Sequence, residues 1–186
     1  ILPGVRNATG GVFHAERAWA ENASGSKAST VSIAGKELND TNKYYYNGEN
    51  GGVGTVTNTR EDGKGEPNAT FEASTGTLTL NGLNLKVKAK ANEQIHGIDA
   101  TTGDLTINLI GKNSITQNEM YTAIYVRKGD LTISGPGTLA ADSNTTSSWS
   151  LIYAAANIII NGGAKITATA TREGQVINAD AGRIEI

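Results

Sequence analysis

The 186-residue chain contains no cysteine, so it has neither disulfide bonds nor thiolate metal ligands. Its only two histidines, His14 and His96, lack a second histidine at the spacing of a zinc motif. No apolar run reaches the roughly 18 residues that a membrane-spanning helix needs, so we expect no membrane insertion. Charged residues make up 18% of the chain and the net charge is −2, which leaves no basic surface for nucleic acid.

Glycine is abundant, with 23 residues, and Ser, Thr and Asn are frequent. Thr favours strands, whereas Gly and Asn favour tight turns, so the composition predicts many short strands. The length fits one domain. One window, Val12–Ala23, has some helical character but is too short to be stable alone, and we expect it to lie on the core as a cap or arm.

A short phrase recurs along the second half of the chain. Gly-Asp-Leu-Thr-Ile begins at Gly103 and again at Gly129, with looser copies before and after. The first apolar residues of the five copies are 27, 26, 27 and 26 residues apart: Leu78, Leu105, Leu131, Ile158 and Ile184. A fixed period of this kind indicates a repeat architecture.

Each period contains three short apolar segments that alternate with polar residues, as strands with one buried face do. A column of turn residues follows the first strand: Asn81, Asn108, Ser134 and Asn161. One copy cannot bury its apolar face alone, so the copies must stack. The predicted fold is all-β, a right-handed parallel β-helix, or solenoid, of about five turns. An antiparallel sandwich is the competing fold, but it does not require one phrase at a fixed spacing.

We expect residues 1–70 to form an N-terminal cap with lead-in strands, and residues 71–186 to form the β-helix repeats. The last segment, Arg183–Ile186, stops inside a first strand. We therefore expect the chain to be part of a longer protein, or its open end to associate with the end of another copy.

Several phrases resemble repeats of secreted and cell-surface bacterial proteins that are often described as carbohydrate-binding-domain-containing or adhesin-like. They are TGTLTLNGLNL, GDLTINLIGKNSIT, AIYVRKGDLTISGPGTL and IIINGGAKITATA, and the resemblance covers about Val31–Ile186. It implies a β-helical repeat domain located outside a bacterial cell or on its surface. It brings no catalytic motif that can be transferred to this sequence.

The third strand of each period carries the candidate binding site. If its leading isoleucines point inward, the residues after them point outward and stack: Asp99, Tyr125, Tyr153 and Asn178. Aromatic rings beside hydrogen-bonding groups suit sugars, and Trp149, in the loop before Tyr153, could form one wall. The alternative is an aromatic ladder that only stiffens the sheet.

We assign no catalytic and no metal-binding residue. Asp104 and Asp130 lie in one column, but their place next to glycine before a strand indicates turn residues that bond backbone N–H groups. Two groups of oxygen ligands are candidates for structural calcium, although neither matches a calcium-binding motif; they are Asn39, Asp40 and Asn42, and Glu61, Asp62 and Glu66. We otherwise expect no cofactor.

The sequence favours a non-enzymatic extracellular module that is adhesin-like or binds a polysaccharide or host glycan. One alternative is a polysaccharide lyase or glycoside hydrolase, because β-helices also carry such enzymes. The other is a structural spacer in a surface protein. An enzyme would need converging acids and a base in a groove, and the sequence does not bring such a set together.

Overall fold

The computed structural model describes residues 5–7, 13–15, 25–88, 93–118, 121–143, 150–170 and 176–186. These residues form one 3-10 turn, Glu49–Gly51, and twenty strands. None of the described segments is a helix long and apolar enough to cross a membrane. The strands are β1 Val5–Asn7, β2 Phe13–Ala15, β3 Val31–Ile33, β4 Lys36–Leu38, β5 Tyr44–Tyr46, β6 Thr55–Thr57, β7 Ala69–Glu72, β8 Thr77–Asn81, β9 Asn84–Val87, β10 Ile98–Ala100, β11 Leu105–Ile110, β12 Lys112–Gln117, β13 Ile124–Val126, β14 Leu131–Ser134, β15 Thr138–Ser143, β16 Ile152–Ala154, β17 Ile158–Ile160, β18 Lys165–Ala170, β19 Ile177–Ala179 and β20 Ile184–Glu185.

The strands from β8 onward wind into a parallel β-solenoid, which confirms the predicted fold. The first sheet stacks β8, β11, β14, β17 and β20; the second stacks β9, β12, β15 and β18; the third stacks β10, β13, β16 and β19. Successive strands within each sheet are parallel. The coil is shorter than the five turns expected, because the fifth repeat contributes only the two-residue strand β20. Its right-handed sense stays a prediction.

The register between coils follows the repeat everywhere except at the first coil. Leu105 pairs with Leu131, as the phrase predicts, but Leu78 pairs with Ile107 and not with Leu105. Asn81 accordingly lies beside Ile110, so its predicted alignment with Asn108 was wrong. Side chains alternate with a period of two, and a shift of two residues keeps the same face inside. The apolar pattern therefore could not separate the two registers.

The core is a stack of aliphatic side chains from the inward faces of all three sheets. Strand β13 shows the pattern: Ile124 and Val126 are fully buried, while Tyr125 between them is half-buried on the outside. Stacking puts like residues above one another, as in Ile98, Ile124 and Ile152. Each coil thus covers the apolar edge of the coil before it, which no single repeat could do.

A column of side-chain oxygens links the coils at the corner before the first sheet. Asp104 Oδ1 accepts the backbone N–H of Asp130 at 2.9 Å, and Asp130 Oδ1 accepts that of Asn157 at 2.9 Å. Asn157 Oδ1 accepts the N–H of Arg183 at 3.1 Å. Asp104 and Asp130 thus bond backbone N–H groups, as predicted, but those of the next coil and not those of their own turn.

Antiparallel strands cover the N-terminal edges of two sheets. Strand β7 pairs antiparallel with β8 in the first sheet, and β3 pairs antiparallel with β10 in the third. Tyr45 of β5 is fully buried there, and its hydroxyl accepts the N–H of Gly54 at 2.8 Å. Within the Val12–Ala23 window, Phe13–Ala15 is a strand paired with β1 and not a helix, because strand pairing overrides the weak helical propensity of so short a segment.

Candidate functional site

The outward face of the third sheet carries the predicted column. Asp99 pairs with Tyr125, Tyr125 with Tyr153, and Tyr153 with Asn178. These four residues, which we call the outward column, are all partly exposed. The isoleucines that precede them are inward and largely buried, so the alternation holds. Trp149, the fifth candidate, lies outside the described residues.

Three rings form a stack along the outward column. The Tyr125 ring lies 4.4 Å from the His96 ring at 16° and 4.9 Å from the Tyr153 ring at 32°, measured between centroids. Because His96 precedes Tyr125 by one coil and Tyr153 follows it by one, Tyr125 lies between two rings. Its two faces are therefore covered by neighbouring rings. A sugar ring cannot stack on Tyr125, which changes the mode of contact expected from the sequence.

A charged pair borders the stack. The Arg127 guanidinium donates two hydrogen bonds to the Asp99 carboxylate, at 3.1 and 2.8 Å. The Asp99 side chain is only 12% exposed, whereas that of Arg127 is 42% exposed. The guanidinium carbon also lies 5.3 Å from the centre of the Tyr125 ring. The hydrogen bond to Asp99 raises the pKa of Arg127, so the guanidinium is charged at every relevant pH.

The phenol of Tyr153 is held in its neutral form. Burial is the main cause that raises its pKa, and the Asp180 carboxylate raises it further through its charge and a hydrogen bond. The Asp180 residue itself is exposed. Tyr153 and Asp180 therefore offer a hydroxyl and a carboxylate side by side to solvent.

Sequence reasoning missed His96 and Tyr121 as members of this site. His96 is 3% exposed, its Nδ1 accepts the N–H of Thr122 at 3.3 Å, and its ring meets Tyr121 edge to face at 5.7 Å. His96 precedes β10 by two residues and lies in a corner, where strand alternation does not extend, so the sequence pattern does not give the direction of its side chain.

Other candidate groups have local roles. Asn39 Oδ1 accepts the N–H groups of Thr41 and Asn42, as a turn cap does. Glu61 pairs with Lys64, and Glu66 pairs with Arg60. In the described part of the chain, no group of three or more His, Asp or Glu side chains could hold a metal ion. Structural calcium stays an untested expectation.

Comparisons with known proteins identify no relative of this chain. The chain matches no protein-family profile, no curated protein and no solved structure at a significant level. The resemblance to bacterial surface repeats therefore stays a prediction.

Proposed function

We propose that this chain is a non-enzymatic β-solenoid module that binds an extended glycan through the outward column of the third sheet. The observation that carries the proposal is the half-buried row of Asp99, Tyr125 and Tyr153 on three successive coils, bordered by the Arg127–Asp99 pair. In line with the resemblance, we place the module outside a bacterial cell or on its surface, in an adhesin-like role.

Binding would proceed through the edges of the rings. Neighbouring coils repeat at about 4.8 Å, so hydroxyl and charged groups recur along the solenoid axis. A polysaccharide lying along this axis could hydrogen-bond to the Tyr hydroxyls, to the free donors of Arg127 and to Asp180. Each such bond is weak alone, about 0.5–1.5 kcal/mol, so affinity would come from several coils.

A glycan-array screen with the purified chain tests this proposal. We expect binding to polysaccharides in the wild type and its loss in the double variant Tyr125→Ala/Tyr153→Ala, because both hydroxyls and the ring stack are removed. The control is Tyr44→Ala, which removes a partly exposed tyrosine from a different sheet. Circular dichroism spectra must show that all variants remain folded.

Two results would count against the proposal. Binding that survives the double substitution would remove the outward column from the glycan site. Binding to no glycan at all would remove the function.

A structural spacer is the second candidate, and one observation favours it. The Tyr125 ring has both faces covered by neighbouring rings, which is the arrangement of a ladder that stiffens a sheet. If this is the whole role, the double variant should lose stability while the wild type binds no glycan.

A further inference from the structure

A buried polar corner lies directly behind the outward column, between the second and third sheets. His96, Thr122 and Gln117 are all inaccessible to solvent or nearly so, at 3%, 0% and 0% exposure. The carbonyl oxygen of Thr122 accepts Gln117 Nε2 at 2.8 Å and the N–H of Gly97 at 3.1 Å. The N–H of the same Thr122 is bonded to His96 Nδ1. The backbone of this one residue thus ties together the strand ends of two coils.

This arrangement requires a neutral His96. A neutral imidazole has one nitrogen that accepts and one that donates, and here Nδ1 is the acceptor. A protonated imidazole donates from both nitrogens, so Nδ1–H and the Thr122 N–H would then oppose each other. Protonation of His96 is therefore incompatible with the hydrogen bond from the Thr122 N–H to Nδ1.

The same ring is the first member of the aromatic stack. His96 lies almost parallel to Tyr125 at 4.4 Å, and Tyr125 carries Tyr153 on its other side. A movement of the His96 ring away from Thr122 must therefore also disturb Tyr125. Within the described structure, two further atoms of this corner, Gln117 Oε1 and Thr122 Oγ1, have no hydrogen-bond partner.

We propose that His96 is a proton-sensitive support of the outward column, so that its protonation opens the Thr122 corner, loosens the ring stack and weakens ligand binding below neutral pH. The opening of the corner stands on its own geometry, whereas the effect on binding rests on the proposed glycan function. Protonation of His96 would thus change the positions of the Tyr125 and Tyr153 hydroxyls, which the ring stack fixes.

Groups around His96 set the pH at which this happens. Burial is the main cause that lowers the pKa of His96; the Asp99 carboxylate raises it, the Arg127 guanidinium lowers it, and a backbone hydrogen bond of Thr122 raises it. Because Asp99 and Arg127 are paired with each other, their effects oppose and burial dominates. The other titratable groups that face the ring are the phenols of Tyr121 and Tyr125.

The sign of the pH dependence follows from this lowered pKa. An unfolded histidine takes up a proton near pH 6.5, whereas folded His96 does so at a lower pH. The stabilisation by neutral His96 is therefore complete above about pH 6.5 and is lost as the pH falls from there through the folded pKa. The ring stack of the outward column should therefore be ordered at neutral pH and disrupted in acid.

The test uses the fact that the chain has only two histidines. We would follow the ring resonances of His14 and His96 by NMR from pH 7.5 to 4.5, without ligand. We expect the His96 midpoint to lie below the value of about 6.5 of an unfolded histidine. The Thr122 amide and Tyr125 ring signals should move with that midpoint. In His96→Asn, which keeps an acceptor atom at the δ1 position but does not titrate, those shifts should vanish. In the control His14→Gln, they should persist.

The outcomes distinguish the proton-sensitive role of His96 from the proposed glycan function. Thr122 and Tyr125 signals that do not follow His96, or a His96 midpoint at or above about 6.5, would overturn the proton-sensitive role of His96 whatever the chain binds. If the array identifies a glycan, its affinity should fall at least threefold between pH 7.5 and 5 in the wild type and stay constant in His96→Asn. Equal pH dependence in both proteins would overturn the control of binding by His96. Failure to bind any glycan would instead reject the proposed function and leave the NMR result to decide on the proton-sensitive role of His96.

Discussion

Single side-chain oxygens hold successive coils in register at the corner before the first sheet. Asp130 receives a bond from Asn157 at its Oδ1 atom, and its own N–H is bonded to Asp104 Oδ1. The column contains both Asp and Asn, so the interaction needs an oxygen at the δ1 position and not a negative charge. This distinction can be tested with one residue.

Asp130→Ala should lower the free energy of unfolding by about 1–2 kcal/mol, because the partly buried N–H of Asn157 loses its acceptor. Asp130→Asn should cost less than about 0.5 kcal/mol, since the amide oxygen can take the same place, as it does at Asn157. Urea unfolding of both variants measures the difference. Equal losses would show that the charge of Asp130, and not its position as an acceptor, supports the corner.

The corners between strands depend on residues that can adopt a left-handed backbone conformation and that allow close contact between coils. Gly129 and Gly163 both have positive φ, at 94° and 84°. A Cβ atom on Gly129 would lie 2.5 Å from Asp104 Oδ1, whereas one on Gly163 would meet nothing within 4 Å. The two glycines thus share the conformational requirement and differ in the available space.

Gly163→Ala should cost only the left-handed conformation, about 1–2 kcal/mol. Gly129→Ala should cost more, because the added methyl group also displaces the Asp104 carboxylate and the backbone of Gly103. Thermal unfolding monitored by circular dichroism gives the comparison. If the two variants melt at the same temperature, the close approach of the coils at Gly129 does not limit stability.

The strand pattern of these elements was largely readable from the sequence. Alternation predicted that Tyr125 faces outward between Ile124 and Val126, and the repeat predicted its pairing with Tyr153. The register of Leu78 was not readable, because a shift of two residues leaves every side chain on the same face. The direction of the His96 side chain could not be predicted either, because corner residues do not alternate between inward and outward as strand residues do.

Burial changes along the whole molecule. Strands in the middle of the solenoid bury their inward residues completely, as at Leu105 and Ile107. Every residue of β18 is at least partly exposed, and Ile184 of β20 is 45% exposed. Opening of strands requires less free energy where fewer apolar contacts are lost. The solenoid should therefore open from the side of β18, β19 and β20.

Hydrogen exchange followed by mass spectrometry should show this gradient at neutral pH. Amides of β11 and β14 should exchange at least tenfold more slowly than those of β18 and β19, because they lie between buried strands on both sides. Equal protection in all coils would mean that the solenoid opens only as one unit.

The oxygen column at the corner has a consequence for how such a chain can evolve. Each coil supplies one acceptor, such as Asp130 Oδ1, and presents one N–H for the acceptor of the coil before it. A tandem duplication of one complete coil therefore adds a matched donor and acceptor and leaves no group unsatisfied. A duplication of part of a coil breaks the column and moves apolar residues to the surface. Lineages of this chain should accordingly differ in length by whole coils, with each new copy able to diverge on its outward face without disturbing its neighbours.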